Sequence, residues 1–141
     1  MRLHERGMTL IELLTVMMVI GILTAIAVPS YRSYLLRSQR SDAKTALLQV
    51  QAAQERFYLQ ANKYTDNVSA AMPTGLGLSG TSSNGYYNIV VDAGANQTYT
   101  VRATPIAGKG QSDDTKCTEL SITDTGLRGA KGPGGLDFCW R

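Results

Sequence analysis

Residues 7–29 read G-M-T-L-I-E-L-L-T-V-M-M-V-I-G-I-L-T-A-I-A-V-P, Gly7 to Pro29. Met8 to Val28 is a run of 21 almost wholly apolar positions. At ~1.5 Å rise per residue, a helix of that length crosses the hydrocarbon core of a bilayer. One charge, Glu12, interrupts the run five residues past Gly7. A carboxylate in hydrocarbon is costly, so it needs a cation or a proton, and a residue kept there at such cost points to function. Two residues weaken the helix. Gly21 costs ~1 kcal/mol relative to Ala. Pro29 removes an amide donor and leaves the carbonyl of Ala25 without its usual partner.

Outward from this run, the seven residues before it, M-R-L-H-E-R-G, are basic and short, a processing segment rather than structure. Two simpler readings of the run are an ordinary signal peptide cut after Ala25-Ile26-Ala27, and a plain single-pass anchor. Flanking charges do not fix orientation. Arg2 and Arg6 precede the run, whereas Arg32, Arg37, Arg40 and Lys44 follow it.

The leader ending in Gly7, then M-T-L-I-E and about twenty apolar residues, resembles the amino terminus of the type IV pilin family. The resemblance implies a prepilin peptidase that cuts between Gly7 and Met8 and methylates the new amino group of Met8. It implies that Glu12 pairs with the amino terminus of a neighbouring subunit during assembly. Gly21 and Pro29 match the family's helix-weakening positions. Met8 stands where Phe is usual. The orientation implied keeps the leader cytoplasmic and the bulk of the chain outside.

Of the 141 residues, about 113 remain for one small domain with a modest core. The formal charge of +3 is concentrated in residues 29–60, where Arg32, Arg37, Arg40, Lys44 and Arg56 face only Asp42 and Glu55. The one histidine, His4, lies in the leader, so the cleaved chain would have no His general base or metal ligand. Two cysteines, Cys117 and Cys139, are too few for a structural zinc site.

Residues 8 to about 60 read as one helix: residues 8–28 membrane-spanning or filament-core, residues 29–60 an amphipathic continuation. Tyr31, Tyr34, Leu35, Ala43, Ala46, Leu47, Val50, Ala53, Phe57 and Tyr58 recur at spacings of three and four, a stripe that wants a sheet against it. Arg37, Arg40 and Lys44 share one face, expected to be solvated or to meet lipid headgroups. Residues 61–85 form a long connection rich in Gly, Ser, Thr and Asn. It contains Gly75 to Gly80, G-L-G-L-S-G, which matches the dinucleotide pattern but has no strand before it and no helix after it.

Strands are expected at Tyr86–Asp92, Thr98–Thr104 and Cys117–Thr123, the first two as a hairpin. Leu127–Leu136, rich in glycine, is expected to be loop with at most a short edge strand. The fold class is therefore α+β: a long helix packed on a small antiparallel meander within residues 86–141. Cys117 and Cys139 bracket a stretch with little core of its own, and their pairing resembles the disulfide-bounded carboxyl-terminal region of pilins, here 117–139. Closing such a loop is worth ~3 kcal/mol in the chain-entropy model. The alternative is two free buried thiols.

Asp113-Asp114 beside Ser112 offers too few oxygens for calcium. Asn67-Val68-Ser69 and Asn96-Gln97-Thr98 fit the glycosylation pattern. No nucleophile–base pair stands out, so the sequence points away from an enzyme, and the resemblance implies no cofactor and no metal. The ending C-W-R, with Q-E-R-F-Y in the helix, looks most like PilE-type minor pilins of Gram-negative bacteria. That implies a structural subunit of a type IV pilus that waits in the inner membrane and then enters the surface filament, supporting pilus biogenesis, twitching motility and adhesion. Implied partners are major and minor pilins, prepilin peptidase, the inner-membrane assembly machinery and, before assembly, the lipid bilayer. The alternatives are a type II secretion pseudopilin, or a pilin that binds DNA or a surface. Residues 106–141 balance Lys109, Lys116, Arg128, Lys131 and Arg141 against Asp113, Asp114, Glu119, Asp124 and Asp137, which speaks against nucleic acid.

Overall fold

The computed structural model describes residues 7–94 and 97–141. The leader residues before Gly7, and Asn96 of the second glycosylation pattern, lie outside the described residues. The chain divides into two compact units, one ending at Leu35 and one running from Leu36 to Arg141.

Helix α1 spans Leu10–Ala61. It opens with T-L-I-E, a capping-box pattern. The Thr9 hydroxyl accepts from the backbone N–H of Glu12 at 3.3 Å. Glu12 thus also lies in the first turn, where the helix dipole favours an acid. The helix ends at Asn62, whose left-handed backbone (φ 51°) lets its N–H reach the Tyr58 carbonyl at 2.8 Å.

In the first unit every described residue is exposed. Its part of α1 contains an 18-residue window of mean hydropathy 2.5 with none of it buried, long and apolar enough to cross a membrane. The helix stays helical through Gly21 and Pro29. Thr24 bonds back to the carbonyls of Ile20 and Gly21, an arrangement that slightly loosens a helix.

The second unit has a four-stranded antiparallel sheet in the order β1-β2-β3-β4: Tyr87–Ala93, Tyr99–Pro105, Glu119–Thr123 and Arg128–Lys131. Alternation sets the register. Val91 faces Val101, and Val101 faces Ile122 on its other side. Tyr87, Ile89 and Val91 of β1, Tyr99, Val101 and Ala103 of β2, and Leu120 and Ile122 of β3 turn to one buried face. They share a core with Ala43, Ala46, Leu47, Val50, Ala53 and Phe57 of α1. A core Leu or Phe contributes about 1.5–3 kcal/mol by leaving water.

The buried stripe starts later than its spacing suggested. Tyr31, Tyr34 and Leu35 are exposed and Tyr58 is half-buried. The register that is buried runs Arg40, Ala43, Leu47, Val50, Gln54, Phe57, in steps of three and four. It therefore contains a cation and an amide that apolar periodicity alone passes over. Gln54 exchanges hydrogen bonds in both directions with the Thr65 backbone and so fixes the start of the loop after α1.

That loop is organised by its own backbone bonds: Leu76 N–H to Asn67, Gly77 N–H to Ala70 and Leu78 N–H to Val68. It buries Val68 and Leu76. Gly75 of the G-x-G-x-x-G pattern is needed for close packing. A Cβ there would lie 2.5 Å from the Ala70 carbonyl oxygen.

The glycine-rich segment carries the short edge strand expected at most, and departs from expectation only in the helix that begins at its end. It forms β4 and then a second helix, α2, at Gly135–Trp140. Gly129 permits this pairing, because a Cβ on it would collide with the Ser121 hydroxyl on β3. Gly132, at φ 117°, lets the chain turn against the Lys116 carbonyl. Cys117 and Cys139 form a disulfide, with Cα atoms 5.7 Å apart, and both are fully buried.

Candidate functional site

The residues singled out by sequence fall into separate places. Gly7, Met8, Glu12, Gly21 and Pro29 lie along the exposed first unit, and Cys117 and Cys139 lie together in the second. Met8 is 69 % exposed. Beside Gly21 a Cβ would meet nothing within 4 Å, so no neighbour in the single chain requires glycine there. What this helix can do is set by what it lacks. Ile11, Leu14, Met18, Ile22 and Ile26 are each at least half exposed, and among the described residues nothing covers them. Such a surface is stable only against lipid or other apolar helices.

The second unit is closed around a buried ion pair. Arg40 of α1 is 4 % exposed and Asp114 is 3 % exposed. Nε and Nη2 of Arg40 donate to the two carboxylate oxygens at 2.6 and 2.9 Å, a bidentate geometry. Gln111 Nε2 donates to the same carboxylate at 2.9 Å. Arg40 also donates to the Phe138 carbonyl at 3.3 Å and stacks 4.6 Å from the Phe138 ring centroid. This corrects one reading and adds a role to Asp114. Arg40 is no part of a solvated or headgroup-facing row, and the Asp114 carboxylate is committed to Arg40 and Gln111. The pair links α1, the 3₁₀ turn Gly110–Asp113 and the disulfide-bounded end of the chain. Burial pushes the Tyr87 phenol well above its ordinary range, and the nearby Asp114 adds to the shift. Tyr99 is raised in the same direction by burial and then by Glu55, to which its hydroxyl bonds at 3.3 Å.

Next to this pair, the signs of charge separate. Lys44 donates from Nζ to the Arg141 carbonyl at 2.9 Å. Its pKa is lowered by burial first, then by Arg40 and Arg128. The Arg128 guanidinium lies 5.1 Å from the Trp140 ring centroid, and Trp140 Nε1 is held by the Gly129 carbonyl at 2.8 Å. Among the described residues, neither Lys44 nor Arg128 makes an ion pair, while Asp92 pairs with Arg102 and Glu119 with Lys131. Asp137 is the one acid of α2. The result is a partly exposed corner that brings Lys44, Arg128 and an indole together. Sequence counting missed it, because Lys44 and Arg128 stand far apart in the chain. The signal present was the Arg–aromatic composition around Arg128 and Trp140.

The chain thus combines a helix long and apolar enough to cross a membrane with a disulfide-closed α+β unit. The family model for the type IV minor pilin ComP, DNA uptake sequence receptor, matches residues 29–121. The prokaryotic N-terminal methylation motif matches residues 2–28. The chain belongs to the type IV pilin family. It is similar to the fimbrial protein EcpC of Eikenella corrodens, 35 % identical over 100 residues, which are 71 % of this chain and 62 % of that protein. It is also similar to the type IV major pilin PilA of Myxococcus xanthus, 44 % identical over 63 residues, 45 % of this chain and 29 % of that one. Thus the chain spans less than two thirds of the length of these curated relatives. A solved type IV pilin from Shewanella oneidensis aligns at a TM-score of 0.47 and 26 % identity, covering 66 % of this chain and 89 % of that one. The family is one of structural subunits and not of enzymes.

Proposed function

We propose that this chain is a minor subunit of a type IV pilus. In this reading residues 1–7 are a leader removed by prepilin peptidase between Gly7 and Met8, and Met8 is then N-methylated. Residues 8–28 hold the subunit in the inner membrane, with the rest periplasmic, and later enter the filament core. Residues 29–60 continue the helix, 61–85 form the surface loop, and 86–141 carry the sheet with the 117–139 disulfide region. The subunit is drawn from the membrane by the assembly machinery, packs with major and minor pilins, and supports twitching motility and adhesion. The observation that carries the reading is the wholly exposed apolar face of α1 directly behind the methylation motif.

Assembly would work through charge. After cleavage, the amino group of Met8 and the Glu12 carboxylate are opposite charges one helical turn apart. Each is costly in apolar surroundings, and pairing between subunits relieves both costs. The Gly21–Pro29 span would be where the helix gives way during packing. Glu12→Val should leave membrane insertion intact and strongly reduce subunit content in sheared filaments. Unchanged content would refute the pairing.

A second reading, a pilin that binds DNA, is favoured by the description of the matching family and by the Lys44–Arg128–Trp140 corner. Two neighbouring cations beside an indole suit a phosphate backbone next to a base. An anion placed there would also relieve the repulsion that lowers the Lys44 pKa. A gel shift of the detergent-solubilised chain at low salt should be lost in a Lys44→Ala/Arg128→Ala variant and in high salt. No shift of the wild type at low salt ends this reading.

A further inference from the structure

Asp42 is a buried carboxylate on α1, 9 % exposed, and among the described residues it has no cation partner. Its hydrogen bonds come from one residue. The backbone N–H of Asn84 reaches both carboxylate oxygens at 3.3 Å, and Asn84 Nδ2 donates to Oδ1 at 3.1 Å. Asn84 thereby latches the loop before β1 onto the helix, 42 residues away in sequence. Arg40, the buried cation two residues earlier on the helix, is committed to Asp114.

Asn84 is followed by Gly85, the one Asn–Gly pair in the chain. The two end a tight turn in which Gly85 N–H bonds the Ser82 carbonyl at 2.9 Å, with Gly85 at φ 69°. A glycine nitrogen is the least hindered backbone nucleophile toward a preceding asparagine side chain, because no Cβ crowds the approach. Asn84 is also exposed to solvent.

We propose that Asn84 is a deamidation site whose conversion unlatches this loop from α1. In a briefly opened turn, Gly85 N–H gives its proton to solvent and its nitrogen bonds to the Asn84 side-chain carbonyl carbon. The carbon–Nδ2 bond breaks and ammonia leaves, giving a cyclic imide. Water then opens the imide at either carbonyl, leaving aspartate or isoaspartate. No oxidant or cofactor is required. The product replaces a donor to Asp42 with a second carboxylate against a buried one that has no cation to neutralise it. The lost ammonia is not regained by reopening or reclosing the imide, so conversion accumulates with the age of the subunit.

The test uses the full-length chain in detergent micelles. Peptide mapping after incubation at mildly alkaline pH should show acid and isoaspartate at Asn84 before Asn62, Asn67 or Asn88. Asn84→Asp should speed amide hydrogen exchange in residues 79–86 roughly tenfold or more, beyond the effect of Asn84→Ala, which removes the side-chain donor without adding charge. Asp42→Asn combined with Asn84→Asp should return exchange toward the wild-type rate. Conversion at another asparagine first overturns the proposal, as does equal exchange in Asn84→Asp and Asn84→Ala. Where Asn84→Asp alone does not fold, recovery of folding in the double variant supports the proposal and failure of the double variant overturns it.

Discussion

The first unit of this pilin and its second follow opposite rules. In residues 8–35 the apolar side chains are all exposed, and among the described residues nothing covers them. In residues 36–141 one set of apolar side chains forms a buried core, and what completes the closure is polar: Arg40 with Asp114, Gln54 with the Thr65 backbone, Asp42 with Asn84. In the proposed function the first region is specified by what it meets elsewhere, lipid or other helices. The second is specified by contacts within itself. A substitution should therefore act on assembly in one region and on folding in the other.

Arg40→Ala should show the largest stability effect, about 3–5 kcal/mol, because it strands the buried Asp114 carboxylate. Chemical denaturation of the full chain measures it. Replacing both partners together, Arg40→Met with Asp114→Leu, should recover most of that loss, and a double variant as unstable as Arg40→Ala would show that the pair does more than satisfy itself. Removal of the disulfide by Cys117→Ser with Cys139→Ser comes next, at ~3 kcal/mol in the chain-entropy model, read as a lowered melting midpoint.

Alkaline pH sharpens the same contrast. Tyr87 and Tyr99 have raised folded-state pKa values, so the folded chain keeps protons that the unfolded chain gives up. The stability they contribute is complete below the ordinary tyrosine pKa near 10 and is lost as pH rises above it. Tyrosinate absorbance should appear for these two residues only together with unfolding. Ionisation of both in a folded chain would contradict their burial. The smallest effect is expected in the first unit: Leu23→Gln should move the melting midpoint of the second unit by no more than about 0.5 kcal/mol equivalent, while weakening incorporation into filaments.

This division also explains what could be read from sequence. The apolar run is a compositional signal, visible without knowing any contact. β1, β2 and β3 were legible because residues such as Tyr99, Val101 and Ala103 alternate with polar ones. β4 was legible only as a possible short edge strand without bounds, and α2 not at all, since R-G-A-K and the glycines around it have no period. They become structure because Gly129 can lie against Ser121 and because Cys139 is tied to Cys117. The burial of Arg40 was hidden for a similar reason. Its position fits the buried register, but its partner lies 74 residues away, and a buried arginine is stable only once that partner is known. A similar distance in sequence concealed the Lys44–Arg128 corner, where counting charges along the chain gave balance and folding brings two cations near each other.

The central claim, that the first unit is built to be processed and then buried in a filament, is tested most directly at its amino terminus. Mass spectrometry of the amino-terminal peptide should compare sheared surface filaments with membranes from the same cells. The account predicts a chain beginning at N-methylated Met8 in the filament fraction. A soluble chain beginning at Val28, absent from filaments, would contradict it and would reduce the apolar run to an ordinary signal peptide.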